Sequence, residues 1–70
     1  MKDKFELIRL AEKNGFQWRS EFGGSTVMMK KRSASSHYLE IETDSLTGAG
    51  MVNGKTGNAA IAEIKNLAKF

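Results

Sequence analysis

The sequence predicts a single α+β domain, residues 1–70, in which a helix precedes three antiparallel strands and a second helix follows them. Three observations carry this prediction. Apolar residues near the start and the end of the chain recur at helical spacing, the segments between them alternate with a period of two, and glycine-rich turns separate these segments. Because hairpin-linked strands stand between two helices, the economical packing places both helices on one face of the sheet.

The first helix is predicted to begin at Asp3 and to end at Asn14-Gly15. Asp3 and Glu6 have the spacing of a capping box, in which each side chain accepts a hydrogen bond from the backbone amide of the other residue. Glycine ends the helix because it adopts left-handed backbone geometry without a side-chain clash. The apolar side of this helix consists of Leu7, Ile8, Leu10 and Ala11.

Three strands are predicted in the middle of the chain. Residues 16–22 alternate with a period of two, which is typical of a half-buried strand, and Phe16 and Phe22 are expected in the core. Gly23-Gly24-Ser25 predicts a hairpin turn, and residues 26–32 form its return strand. Residues 33–36 are a predicted flexible tip. The third strand covers residues 37–43, where apolar and polar side chains alternate again.

The segment 44–57 is rich in glycine and is interpreted as a loop, with a short extra strand at Met51-Val52 left open. A final helix is predicted to follow, capped by Thr56 or Asn58. Its apolar face consists of Ala60, Ile61, Ile64, Leu67 and Ala68.

Composition limits the class of protein. Eleven Lys and Arg against eight Asp and Glu give a net charge of +3, and the chain has no cysteine. A cysteine-free small domain is typical of a reducing compartment, so we expect the cytoplasm and no thiolate metal site. The chain has no apolar run long enough for a signal peptide or a membrane span, so no membrane is expected. A domain of this size buries only about 60% of its unfolded surface, which leaves a homodimer or another stabilising partner open.

Few residues are candidates for catalysis. His37 is the lone histidine and could act as a general base, although a packing role is commoner at the start of a strand. Glu40, Glu42 and Asp44 alternate along the third strand. They could bind a divalent cation, but solvation or pairing with cations across the sheet is the favoured interpretation. The sequence therefore predicts no metal site and no cofactor.

Nucleic-acid contacts have more candidates. Lys30, Lys31 and Arg32 form the one cluster of cations in the sequence, and Tyr38 is an aromatic side chain that could stack on a base. Lys55 lies in a Gly-Lys-Thr sequence, but position 49 is alanine where a phosphate-binding loop requires glycine. A weaker possibility remains, in which Lys55 and the start of the last helix hold one backbone phosphate. Met28, Met29 and Met51 suit core filling or an interface.

The block from Glu6 to Phe16, which reads Glu-Leu-Ile, then Leu, then Glu-Lys-Asn-Gly-Phe, resembles the HicA family of small toxin ribonucleases, and Gly24-Ser25 matches that family by position. The resemblance implies a fold like that of double-stranded RNA-binding domains, an RNA ligand contacted near Ser25, and an antitoxin partner. In that family the residue after Gly-Ser is the catalytic histidine, and here it is Thr26. A hydroxyl cannot take a proton as imidazole does, so the resemblance implies a weakened or inactive mRNA interferase unless His37 substitutes.

Three functions therefore stand open. The leading hypothesis is a HicA-like RNA-binding domain of a type II toxin-antitoxin system. The second is a protein encoded by a phage or other mobile element that inhibits a host protein through its sheet face or its methionines. The third is a sheet-based DNA-binding protein with a basic cluster on the phosphate backbone. The candidate nucleic-acid contacts are Ser25, Lys30, Lys31, Arg32, Tyr38 and Lys55.

Overall fold

The computed structural model describes residues 2–30 and 37–70. Within them, a four-stranded antiparallel sheet with strand order β1-β2-β3-β4 lies between two helices in the chain, so the predicted α+β class is confirmed. The end of the predicted second strand and the predicted tip, which include Lys31 and Arg32, lie outside the described residues. The elements are α1 (Lys4–Lys13), β1 (Phe16–Phe22), β2 (Ser25–Lys30), β3 (Tyr38–Thr43), β4 (Gly50–Val52) and α2 (Gly57–Leu67).

Helix α1 begins and ends as its sequence predicts. The Glu6 amide donates to the Asp3 carboxylate at 2.9 Å, and the Asp3 amide donates to the Glu6 carboxylate at 3.3 Å. These two bonds form the expected capping box. Gly15, with φ of 93°, turns the chain from the helix end into β1. Helix α2 begins after Thr56, one of the two predicted cap positions, but the Thr56 side chain makes no capping hydrogen bond.

One face of the sheet carries the core. Met28 lies opposite Leu39, and Ile41 lies between Thr26 and Val52, so their side chains point to the same side. Both helices bury their apolar stripes against this side, as predicted. The core residues of the helices are Leu7, Ala11, Ala60 and Ile64, and those of the sheet are Phe16, Met28, Leu39, Ile41 and Val52.

A bulge at Arg19 changes the faces of β1. Trp18 pairs with Met28 and Ser20 pairs with Val27, so Arg19 is an extra residue that shifts the alternation by one. Phe22, which pairs with Ser25, consequently points away from the helices and is 83% exposed. The expectation that Phe22 lies in the core is therefore wrong, whereas Phe16 is buried as expected.

Strand β4 is the element that the sequence left open. Its Gly50 amide donates to the Lys2 carbonyl at 2.9 Å, which ties the sheet to the start of α1. A β-carbon at position 50 would stand 2.5 Å from Leu7 Cδ1 and 2.8 Å from the Asp3 carbonyl carbon. Glycine is thus required where α1 crosses this strand.

No helix within residues 2–30 and 37–70 combines the length and the apolar character needed to span a bilayer.

Candidate functional site

Thr26, where the HicA resemblance expects a histidine, is a buried residue of β2. Its side chain is 1% exposed, and its hydroxyl donates to Glu21 Oε1 at 2.6 Å. Lys4 Nζ lies 3.5 Å from Glu21 Oε2 and donates to the Gly24 carbonyl at 2.9 Å. The Thr26 hydroxyl, followed by the Lys4 ammonium, lowers the pKa of Glu21. This network fastens the β1–β2 hairpin to the first turn of α1.

His37 lies at the other end of the sheet. Ile41 is the residue opposite Thr26, so His37 is four residues away, or about 13 Å along β3. Its imidazole stacks on the ring of Phe70, with ring centroids 4.3 Å apart and planes at 5°. His37 is therefore not close to Gly24-Ser25, which was the condition for it to replace the histidine that the HicA resemblance expects, and Thr26 and His37 do not form one site.

The predicted nucleic-acid contacts do not converge either. Lys30 Nζ points toward the end of α2, where it donates to the carbonyls of Ala68 and Phe70. Ser25 begins β2 and Lys30 ends it, so these two residues are about 17 Å apart. Tyr38 pairs with Met29 and lies on the face opposite the helices. Ser25 and Tyr38 lie on this same face, at opposite ends of β2 and β3, whereas Lys30 does not, so no common surface joins all of the described candidates.

Lys55 is also engaged within the fold. Its ammonium lies 3.0 Å from Glu63 Oε1, and Asn53 Nδ2 donates to Glu63 Oε2 at 2.9 Å. The Asn53 amide and then the Lys55 ammonium lower the pKa of Glu63. Asn53 also adopts φ of 51°, and its Oδ1 accepts from the Glu40 amide at 2.9 Å. Lys55 therefore belongs to a network that holds the turn after β4 against α2.

The side of the sheet away from the helices forms a surface whose residues the sequence did not group together. Alternation and register place six side chains of β2, β3 and β4 there, and we call them the open sheet face. Its described neighbours on β1 and at the start of β2 include the uncharged residues Gln17, Ser20, Phe22 and Ser25. In the sequence, the alternation of apolar and polar residues along β3 was the pattern that indicated this face. The open sheet face consists of Val27, Met29, Tyr38, Glu40, Glu42 and Met51.

The open sheet face is apolar and acidic. Val27, Met29 and Met51 are half-buried, Tyr38 is 38% exposed, and both helices pack against the opposite side of the sheet. Glu40 and Glu42 are the charged side chains among its six described members, and neither forms an ion pair with a described residue. This chemistry suits contact with another protein more than contact with phosphates.

Basic side chains gather instead beside α1. Lys2, Arg9 and Lys13 line a shallow groove whose other walls are Glu6 and Leu10. Lys2 Nζ lies 4.0 Å from Glu6 Oε2, whereas Arg9 and Lys13 form no ion pair with the described part of the chain. Arg9 and Lys13 are thus the cations most available to an anionic ligand in this groove.

The described residues offer no metal centre. No three His, Asp or Glu side chains among them come close enough to hold an ion, so Glu40, Glu42 and Asp44 do not form such a group. The two surfaces that the described residues leave for a ligand are the open sheet face and the α1 groove. Compared with models of known families, with curated proteins and with solved structures, the chain gives no match.

Proposed function

We propose that this chain is a protein-interaction module that binds a partner protein through the open sheet face. The observation that carries the proposal is the contrast between the two sides of one sheet. Both helices cover the core side, while Val27, Met29, Tyr38 and Met51 on the other side have no described cover. Val27, Met29 and Tyr38 adjoin one another across β2 and β3, and an apolar surface patch of this kind commonly marks a protein contact.

The chemistry of the other candidate sites supports this choice. DNA lying on the open sheet face would bring its phosphates against Glu40 and Glu42, which disfavours a sheet-based DNA-binding protein. The buried Thr26 and the distant His37 disfavour ribonuclease chemistry. The partner is a host protein if a phage or mobile element encodes the chain. The proposal includes the expected cytoplasmic location, which fractionation of producing cells tests.

A second candidate function is RNA binding without cleavage, as in a HicA-like protein that has lost its base. It is favoured by one observation, the presence of Lys2, Arg9 and Lys13 around the α1 groove. Arg9 and Lys13 are four residues apart, or about 6 Å along the helix axis. Their ammonium and guanidinium groups could contact neighbouring phosphates of one strand. Glu6 in the same groove reduces the attraction.

Site-specific photo-crosslinking in producing cells separates the two candidates. A benzophenone amino acid replaces Tyr38 on the open sheet face, Arg9 in the α1 groove or Ala62 on the exposed side of α2. We expect Tyr38 to give an adduct with one protein species, which survives nuclease, is absent at Ala62 and disappears with the added change Val27→Lys. The purified partner should then bind the purified chain, and Val27→Lys should weaken that binding.

The result that overturns the proposal is the absence of a protein adduct at Tyr38 while the variant is folded and abundant. A nuclease-sensitive adduct at Arg9 alone would establish the second candidate in its place. Salt provides an independent check, because RNA binding should fall steeply with salt concentration, with a log-log slope of about 0.7 per phosphate contacted.

A further inference from the structure

From the charge and geometry of the open sheet face, we infer that its partner contributes an amphipathic helix whose apolar stripe is flanked by lysine or arginine residues. This inference rests on the proposed function, since it names the chemistry of the partner at the same surface. Three observations support it. Glu40 and Glu42 lie on the open sheet face, β2 and β3 are each paired with a strand on both edges, and both helices of the chain already pack in the core.

The charge of this surface is opposite to that of the whole chain. The chain has a net charge of +3, yet the six described residues of the open sheet face include two carboxylates and no cation. Glu40 and Glu42 are both half-buried already, and neither has an ion-pair partner among the described residues. An apolar partner alone would strip water from these carboxylates without compensation. Cations on the partner compensate that loss and give the contact its orientation.

The geometry of the sheet selects a helix. Strands β2 and β3 are hydrogen-bonded to neighbours on both edges, so a segment lying over them meets side chains and no backbone donors or acceptors. A helix satisfies its own backbone within the segment, whereas an added strand would leave its backbone groups without partners. The other side of the same sheet already accepts two helices.

The spacing of the carboxylates fits the same element. Glu40 and Glu42 are two residues apart on β3, or about 6.7 Å. Cations four residues apart on a helix are separated by about 6 Å along its axis. A helix that lies along β2 can therefore rest its apolar stripe on Val27 and Met29 and present one lysine or arginine from its flank to each carboxylate on the neighbouring strand β3.

A second copy of this chain does not fit as the partner. Two open sheet faces packed together would bring four carboxylates into one interface, two from each copy. The apolar stripes of α1 and α2 are already in the core through Leu7 and Ile64, so neither helix can supply the stripe to another copy without unfolding. The occupant is therefore a different protein.

Two synthetic helical peptides of 18 residues test the inference. Both carry the same leucine stripe, and lysine flanks it at positions four apart in one peptide, where the other has glutamate. Amide chemical shifts, measured as each peptide is titrated into the intact chain, report the binding surface and the affinity. We expect the lysine peptide to bind at least tenfold more tightly and to shift amides of β2, β3 and β4 more than those of α1.

Matched variants test whether Glu40 and Glu42 are the carboxylates that bind the lysine peptide. E40Q/E42Q and E12K each raise the net charge by two, but only Glu40 and Glu42 lie on the open sheet face. E40Q/E42Q should therefore weaken binding of the lysine peptide by about tenfold, and E12K should leave it unchanged. E40K/E42K should reverse the preference toward the glutamate peptide. Failure of the lysine peptide to bind, equal binding of both peptides, or equal effects of E40Q/E42Q and E12K would overturn the inference. Crosslinking at Tyr38 tests the proposed function separately, and an acidic or extended crosslinked segment would overturn the partner chemistry alone.

Discussion

Thr26 and Glu21 face each other across the β1–β2 hairpin, and the Thr26 hydroxyl donates a 2.6 Å hydrogen bond to the Glu21 carboxylate. Lys4 reaches the same carboxylate from α1. The position where the HicA resemblance expects an imidazole is thus occupied by a buried donor that joins three elements. A buried hydroxyl with a committed acceptor has no access to substrate, so this position serves stability.

Thr26→His should therefore destabilise the fold and give no ribonuclease activity. The larger ring must enter a packed site, which costs about 1 to 3 kcal/mol of the free energy of unfolding. Urea denaturation measures that loss, and incubation with single-stranded RNA measures cleavage. Thr26→Val is the matched control, because it removes the hydrogen bond without adding volume and should cost less. A stable Thr26→His variant that cuts RNA would contradict the structural role of this residue.

Acid should weaken the fold partly through Glu21. The network lowers the pKa of Glu21 below its usual 4.5, so the folded state binds fewer protons than the unfolded state in this range. The contribution is fully present above about pH 4.5 and is lost as the pH falls through the lowered pKa. Urea midpoints should thus fall less below pH 4.5 in Glu21→Gln than in wild type. Thr26→Val should show a smaller acid loss as well, since it removes the largest cause of the shift. Parallel curves for all three proteins would contradict this assignment.

Gly50→Ala should strongly destabilise the chain. The added carbon would meet Leu7 and the backbone of Asp3, and backbone at a helix start cannot yield as a flexible side chain can. We expect a loss of about 3 kcal/mol in the free energy of unfolding, or a displaced α1. Gly48→Ala is the control, because nothing lies within 4 Å of its β-carbon, although its φ of 76° carries a cost of about 1 kcal/mol. Equal losses in the two variants would argue against the close packing of α1 on β4.

Local signals explain which elements the sequence predicts. The capping box of α1 and the alternation of β3 are encoded within a few residues, and both are present in the structure. Strand β4 is three residues long and exists through its pairing with β3 and its contact with α1, so no local pattern defines it. No local pattern in the sequence predicts the bulge at Arg19 either, and the bulge places Phe22 on the face away from the helices. One extra residue in a strand moves every later side chain to the other face of the sheet, so a face predicted from alternation holds only where the strand has no bulge.

The candidate site depended still more on distant contacts. Lys30 was a predicted nucleic-acid contact, but its ammonium bonds to carbonyls 38 and 40 residues away in the chain. Lys55 pairs with Glu63, eight residues later in α2, and it lies in the segment 44–57, whose turns the sequence did not predict. The alternation of Tyr38, Glu40 and Glu42 did predict one shared face. Which face the helices leave open follows only from the complete sheet.

Asn53 should be a sensitive position because it combines a left-handed backbone with three side-chain contacts. Its φ is 51°, its Oδ1 accepts from the Glu40 amide, and its Nδ2 donates to Glu63 and to the Tyr38 carbonyl. Asn53→Gly removes the contacts but keeps the backbone geometry unstrained, whereas Asn53→Ala removes the contacts and adds strain of about 1 kcal/mol.

Both variants should lower the free energy of unfolding, and Asn53→Ala should be the less stable of the two by about that 1 kcal/mol. Urea denaturation measures the difference, and hydrogen exchange of the Glu40 amide reports the lost bond in each variant. Because Glu40 belongs to the open sheet face, faster exchange there should accompany weaker binding of the lysine peptide. An Asn53→Ala variant as stable as Asn53→Gly would show that the turn relaxes out of the left-handed region, and wild-type stability in both variants would show that the contacts of Asn53 do not hold β3 in place.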